Sequence, residues 1–179
     1  MTIRLYGATS GYTEIDAPAV AGNNVLTLPF SGFGKVLQVV SATKVDAFST
    51  TSTSFVDVTG LSVSITPAST SNKILIILNV GVAHSTNDTN NTKGKIMRDS
   101  TPIGFSEPTT GRAFIHYGTY NDYDPSTYSM SILDSPETTA STVYKLQLAV
   151  SAGTAYINRS RLGTSALTIS SITVMEVAE

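Results

Sequence analysis

Tyrosines are concentrated in one segment of the chain, together with acidic and amide side chains. Four of the eight tyrosines lie within positions 117–128, and no lysine or arginine occurs between Arg112 and Lys145. A tyrosine ring offers a flat apolar face with a hydroxyl at its edge, and neighbouring carboxylates and amides accept hydrogen bonds from sugar hydroxyls. The segment therefore predicts a surface that recognises a saccharide or another polar surface. Its candidate residues are Tyr117, Tyr120, Asp122, Tyr123 and Asp124.

A second polar segment, residues 84–92, consists almost entirely of small hydrogen-bonding side chains. Asn87 and Asn90 from this segment join the candidate recognition residues. For both segments the alternative is a solvated loop, in which tyrosines pack onto the domain and acids keep it soluble. Residues 121–124 also carry oxygen ligands that suit calcium, but they lack the twelve-residue pattern of a dedicated calcium loop. We expect no metal and no cofactor.

Sequence patterns of catalysis are absent. The chain has no cysteine and only two histidines, His84 and His116, each near the end of a predicted strand. A lone histidine in that position is more often hydrogen-bonded or at the surface than a base or a metal ligand. No G-x-S-x-G, H-E-x-x-H or P-loop motif occurs. We expect a protein that is not an enzyme. An envelope-polysaccharide-degrading enzyme stays open, because the two carboxylates of a glycosidase can be distant in the chain.

The charge and hydropathy of the chain exclude two classes of partner. Eleven basic residues against thirteen acidic ones give a net charge of −2 with no basic block, which is a poor basis for binding nucleic acid. The longest apolar run, residues 74–78, is far shorter than the roughly 20 residues needed to cross a bilayer. We expect no nucleic acid partner, no membrane insertion and no secretory signal.

The polar segments need a framework, and the sequence predicts one made of β-strands. Leu61, Val63 and Ile65 alternate with serines, and similar alternation recurs about every 8–12 residues with turn residues between, whereas helical periodicity is nearly absent. We predict an all-β fold, an antiparallel β-sandwich of the jelly-roll type. The predicted strands are 36–46, 54–58, 61–66, 73–83, 93–98, 101–105, 112–118, 127–133, 142–150, 154–158 and 167–177.

The first 34 residues differ in composition from the rest. They hold five of the thirteen glycines and two of the seven prolines, and their apolar fragments are too short to form a core. We predict two parts: an extended anchoring arm over residues 1–34, which packs on a neighbouring protein, and a β-sandwich domain over residues 35–179. A frayed tail is the alternative for the arm.

Two strands are apolar on both faces, which indicates assembly. Residues 74–78 read Ile-Leu-Ile-Ile-Leu, and residues 36–40 are nearly as apolar on both faces. The segment 167–175 also carries apolar groups on both faces, which adds to the indication. An antiparallel sheet with one wet face alternates apolar and polar residues instead. We predict an oligomer interface, with loops of the same chain as the alternative cover. The candidate interface residues are Ile74, Ile76, Leu78 and Val174.

Several stretches of the chain resemble virion proteins of tailed phages. Residues 7–29 resemble the N-terminal segment of tail-fibre and other virion proteins, especially of phages that infect cyanobacteria. Residues 48–67, 73–76 and 133–136 resemble the β-domain that accompanies it. The similarity spans most of the chain, and its motifs are compositional rather than catalytic.

The resemblance implies a virion structural protein, trimeric, with a tumour necrosis factor-like jelly roll, that is assembled in the host cytoplasm. The chain lacks the long repetitive shaft of a typical tail fibre, which leaves two locations in the particle. One is a short tail fibre or tip, attached by residues 1–34 to other tail proteins, with its tyrosine-rich loops toward a host surface glycan. The other is a capsid decoration protein, a cement or head-fibre protein, with the arm on the major capsid protein. We favour the fibre.

Overall fold

The computed structural model describes residues 3–6, 12–15, 35–85, 90–104, 113–117, 124–163, 165 and 168–179. The chain divides into two compact units, Met1–Phe33 and Gly34–Glu179. In the first unit, strands β1 (Ile3–Tyr6) and β2 (Tyr12–Ile15) form an antiparallel pair. The sequence pattern predicts no strand before residue 36, because four residues are too few to show a clear period.

The described residues of the second unit form strands and connecting segments. No helix long and apolar enough to span a membrane occurs in the described part of the chain. The strands are β3 (Val36–Lys44), β4 (Phe48–Thr50), β5 (Val56–Ile65), β6 (Lys73–His84), β7 (Asn91–Arg98), β8 (Thr101–Ile103), β9 (Phe114–Tyr117), β10 (Ser126–Asp134), β11 (Thr142–Val150), β12 (Ala155–Ile157) and β13 (Ser170–Val177).

These strands form two antiparallel sheets. In the first sheet β13 lies between β3 and β6, β10 pairs with the other edge of β6, and the short strands β12 and β4 extend the sheet beside the end of β6. The second sheet has the order β5, β11, β7, with β8 and β9 both paired to β7. The pairs β3–β13, β5–β11, β6–β10 and β7–β9 are nested one inside the next. This is the connectivity of a jelly roll, so the predicted fold class is confirmed.

The core lies between the two sheets and follows the alternation of the strands. In β5 the side chains of Leu61, Val63 and Ile65 are buried while the serines between them are exposed. Tyr144, Leu146 and Leu148 of β11 are buried in the same way. Because successive side chains of a strand point to opposite faces, each long strand contributes every second residue to this single core.

The predicted interface residues lie inside this core. Ile74, Ile76, Leu78 and Val174 each have 0% exposure within one chain. These four side chains are therefore not available to a second chain, and the prediction is wrong for them. The apolar run is covered within the chain by the second sheet, and the side chains on the outer face are those at the alternate positions, such as Leu75 and Ile77.

One strand replaces two predicted ones. The sequence analysis placed a turn at residues 59–60, but β5 runs through it from Val56 to Ile65. Gly60 has a φ of +86°, and the pairing of β5 with β11 shifts register between Lys145 and Gln147. A glycine adopts this left-handed conformation without a steric penalty, so the turn signal marks a bulge within a strand.

The sandwich has two distinct ends, which we name the base and the tip. At the base β13 ends beside the start of β3, where Val177 pairs with Val36 and the amide of Ala178 donates a 2.7 Å hydrogen bond to the carbonyl of Lys35. At the tip β13 begins beside the end of β3, where Ser170 pairs with Lys44. A nine-residue strand such as β3 separates the two ends by about 30 Å.

Candidate functional site

The tip brings together the two polar segments that the sequence singled out. Asn91, the first residue of β7, pairs with Tyr117, the last residue of β9. Ser126, the first residue of β10, pairs with Val82 near the end of β6. The segments 84–92 and 117–128 therefore leave the sandwich at the same end, although residues 93–116 lie between them in the sequence.

The structure describes three of the seven candidate recognition residues. Tyr117 is 53% exposed at the end of β9, Asp124 is exposed just before β10, and Asn90 is half-buried just before β7. The other four candidates lie outside the described residues: Asn87, Tyr120, Asp122 and Tyr123. Among the described candidates, the tip therefore carries one exposed aromatic ring and one exposed carboxylate.

Aromatic side chains support the tip from inside the sandwich. The ring of Tyr128 stacks on Phe114 with 4.9 Å between ring centroids, and its hydroxyl lies 3.0 Å from Nδ1 of His116. His116 is almost completely buried. Tyr128 and His116 therefore belong to the hydrogen-bonded interior, and Tyr117 is the tyrosine of β9 and β10 that faces solvent.

Serine side chains and backbone groups tie the tip segments to one another. The amide of Ser85 donates to the carbonyl of Thr154, and the amide of Thr154 donates back to Oγ of Ser85 over 2.7 Å. Asn91 and Ser151 form a second reciprocal pair, with 2.8 Å from the amide of Asn91 to Oγ of Ser151. Nε2 of buried His84 lies 2.9 Å from the carbonyl oxygen of Ala152. These bonds give the tip a fixed framework.

Sequence reasoning missed these supporting residues. Ser85, Ser151 and Thr154 carry no signal beyond their residue type, and the chain contains 23 serines and 26 threonines. Their position beside strand ends is the one available signal: Ser85 follows β6, Ser151 follows β11 and Thr154 precedes β12. Side chains at strand ends often bond to neighbouring backbone groups.

Two buried polar atoms at the tip have no hydrogen-bond partner. They are Oδ1 of Asn91 and Oγ1 of Thr92, at the start of β7. Thr92 is fully buried and pairs with His116 across the sheet. A buried polar group without a partner costs about 1–3 kcal/mol, which makes this corner the least satisfied polar region among the described residues.

The tip contains an ion pair between Lys44 and Asp46. No group of three or more histidine, aspartate or glutamate side chains in the described ranges could hold a metal ion. At the tip, a 2.9 Å hydrogen bond from the ammonium of Lys44 holds the pKa of the Asp46 carboxyl below its usual value, and Asp46 is exposed. The arrangement at the tip suits recognition through hydrogen bonds and a tyrosine ring.

Comparison with known proteins gives structural likeness at low identity. No family model matches the chain. No curated protein matches it either. One similar solved structure is the infectious bursal disease virus VP2 subviral particle, at 16% identity and a TM-score of 0.39, with 97% of this chain and 45% of that chain covered. Another is the T=1 particle derived from infectious bursal virus, at 15% identity and a TM-score of 0.42, with 98% and 44% covered. The chain thus spans less than half the length of either.

Proposed function

We propose that this protein is a non-enzymatic structural protein of a phage virion: a short trimeric tail fibre or fibre tip. It attaches to the particle by residues 1–34 and presents the tip of the sandwich to a host surface glycan. The observation that carries the proposal is the position of two described residues. Lys35, where the chain enters the sandwich, lies at the base, and the candidate recognition residue Tyr117 lies at the tip.

This polarity is what an adhesin domain requires. An anchored domain reaches a cell surface only if its binding loops face away from its attachment point. Here Lys35 and Ala178 are bonded to each other at the base, whereas Tyr117 and Asp124 are exposed at the tip. The length of the strands holds the two ends about 30 Å apart.

The contacts of the two histidines and of two aspartates support binding rather than hydrolysis. His84 and His116 are buried and lie within hydrogen-bond distance of a carbonyl and a tyrosine hydroxyl, respectively. Asp134 is paired with Arg98, and Asp57 with Lys145. Incubating the protein with host envelope glycans tests this point directly. New reducing ends would favour the polysaccharide-degrading alternative.

A capsid decoration protein is the second candidate, because the same polarity suits a domain that stands on a capsid. In that role residues 1–34 lie on the major capsid protein and the tip points outward. The two candidates differ in copy number. Quantitative mass spectrometry of purified virions distinguishes them: hundreds of copies per particle indicate the capsid, and a few dozen or fewer indicate the tail.

Cell binding tests the recognition part of the proposal. We expect the purified protein to bind host cells, and the variants Tyr117→Ala and Tyr120→Ala/Tyr123→Ala to lose that binding. Ser64→Ala is the matched control, because Ser64 is exposed near the base end of β5. Normal adsorption by phage that lacks the protein would contradict a role in host recognition.

A further inference from the structure

We propose that the outer face of the first sheet is the surface through which this chain binds a second copy of itself. This surface, the outer face, consists of the outward side chains of β3, β13, β6 and β10. The inference deepens the oligomeric part of the proposed function and rests on that function only for its biological setting. Its evidence is the geometry and charge of the face.

An apolar row crosses the outer face from one edge strand to the other. On the two edge strands its side chains are more than half exposed, 55% for Val39 and 62% for Leu133. Leu37, two positions before Val39 on β3, adds a further exposed apolar side chain. The row consists of the register partners Val39, Met175, Leu75 and Leu133.

Two pairs of uncharged polar residues on the outer face are hydrogen-bonded to each other. The next row contains Ser41, Thr173, Ile77 and Ser131. The hydroxyls of Ser41 and Thr173 are 2.8 Å apart, and the hydroxyl of Ser129 donates to Oδ1 of Asn79. Such mutually satisfied groups lose little when a partner displaces water from them.

The face also has a shallow depression between β6 and β10. It is lined by Ile77, Ser129, Met130 and Ser131. A side chain from a second copy fits here against both apolar and hydroxyl groups.

The charge distribution identifies which of the two sheets faces the second copy. At its outward positions the first sheet carries a single charged residue among those described, Lys73 at the base. The outward positions of the second sheet carry Asp57, Lys93, Lys95 and Lys145. Interface cores are depleted in charge, and burying the outer side of the second sheet would desolvate three lysines. The outer face of the first sheet meets a second copy without that cost.

The size of the face suits a specific contact. Four strands about 4.8 Å apart, with about seven residues each at 3.3 Å per residue, present roughly 19 by 23 Å. Two copies together then bury on the order of 1,000 Å², which is where specific protein interfaces begin.

Sedimentation velocity of the full chain at micromolar concentration tests the proposal. We expect the wild type to be a multimer, and Val39→Lys/Leu133→Lys to self-associate at least tenfold more weakly with an unchanged circular dichroism spectrum. Ser64→Lys, on the outer side of the second sheet, is the control and keeps the wild-type mass. A wild type of single-chain mass overturns the proposal, whether the face is open to solvent or covered by residues 1–33. A double variant that keeps the mass of the wild-type multimer also overturns it.

Cross-linking gives a second readout that needs no destabilising change. The chain has no cysteine, so Ser131→Cys and Ser62→Cys each introduce a unique thiol, on the outer side of the first and second sheet, respectively. A short bis-maleimide is expected to join copies of Ser131→Cys and not of Ser62→Cys; the reverse, or no product with Ser131→Cys, overturns the proposal. A multimer that is present in virions but is not cross-linked through residue 131 would refute the outer face as the interface and leave the proposed function standing. A multimer that is cross-linked through residue 131 but is absent from virions would support the interface and refute the proposed function.

Discussion

The ring of Phe114 lies directly over Gly94, its register partner on the neighbouring strand. Gly94 of β7 and Phe114 of β9 are paired in the second sheet, and Phe114 is buried. A β-carbon at position 94 would overlap three carbons of the Phe114 ring. The glycine therefore leaves the space that this core aromatic occupies, beneath the tip and against Tyr128.

Gly94→Ala is expected to destabilise the fold. The added methyl must displace the Phe114 ring from a packed core, which costs about 1–3 kcal/mol in the free energy of unfolding. Urea unfolding of both proteins measures this difference. Gly163→Ala is the control, because a β-carbon there meets only Oγ of Ser160 at an ordinary 3.7 Å. Equal stability of Gly94→Ala and the wild type would show that the ring does not occupy this space.

A buried carboxylate holds the base together. Glu176 of β13 has no exposed surface and accepts hydrogen bonds from Gln38 at 2.6 Å, Asn72 at 2.6 Å and the amide of Ala68 at 2.7 Å. Burial alone raises the pKa of Glu176, but the hydrogen bonds from Asn72, Gln38 and the backbone outweigh it and lower the pKa. The network thus connects β3, β13 and the segment before β6 through an ionised group.

The stability of the protein is therefore expected to fall in acid partly through Glu176. Because the pKa is lower in the folded state than in the unfolded state, the stabilisation is complete above the ordinary value of 4.5 and is lost as the pH falls through the folded-state pKa. Glu176→Gln should lower the free energy of unfolding by about 1–3 kcal/mol at pH 7, since its amide group faces other donors. It should also flatten the decline between pH 5 and pH 3.

Unfolding at a series of pH values measures both effects, with Asp57→Asn as the control. The pKa of Asp57 is also lowered, by hydrogen bonds from Lys145 and Gln147, but its side chain is exposed, so its removal is expected to matter little. If the free energy of unfolding of Glu176→Gln falls in acid as steeply as that of the wild type, other carboxylates are responsible for the loss of stability.

Asp134 is the common partner of a buried tyrosine and an arginine. The hydroxyl of Tyr144 donates to Asp134 over 2.7 Å, and Nη1 of Arg98 lies 3.0 Å from both carboxylate oxygens. Burial, with a further contribution from Asp134, raises the pKa of Tyr144 far above its usual value. Tyr144 is thus a protonated donor under all ordinary conditions.

Removing the acceptor Asp134 is expected to lower the free energy of unfolding more than removing the donor hydroxyl of Tyr144. Tyr144→Phe deletes one hydrogen bond, worth about 1 kcal/mol. Asp134→Ala leaves the Tyr144 hydroxyl without its acceptor and removes the carboxylate of Arg98, which keeps only its 2.9 Å bond to the carbonyl of Ser135. The expected cost in the free energy of unfolding is about 3 kcal/mol. Denaturant unfolding of the two variants and the double variant measures the coupling. The reverse order of stability would mean that the bond to Ser135 is enough for Arg98.

The strands could be predicted from the sequence because β-branched and apolar residues alternate with serine and threonine. The inward positions of β5 follow from the alternation of Leu61, Val63 and Ile65 alone. The same alternation places Glu176 inward after Ile172 and Val174, a signal that the sequence analysis did not use. Strands β4 and β12 have three residues each, too few to show a period.

The candidate site could be predicted only in part. Composition identified the segments that hold Tyr117 and Asn90, but their meeting at the tip depends on the nested strand order, which pairs residues far apart in the chain. The face that we propose as the interface could not be identified from the sequence either. Residues 74–78 are apolar at every position, so nothing in their pattern distinguishes inward from outward side chains.

Ile76 and Ile77 provide a direct test of which face is which. They are adjacent on β6, yet Ile76 is fully buried between the sheets and Ile77 lies half-buried on the outer face. Ile76→Asp puts an unpaired charge in the core, so we expect unfolded or aggregated protein. Ile77→Asp leaves the core intact, so we expect a folded chain whose multimer dissociates, because the new carboxylate is desolvated only on association. Circular dichroism and light scattering separate these outcomes, and a soluble native-size multimer from Ile76→Asp would mean that the strand faces the other way.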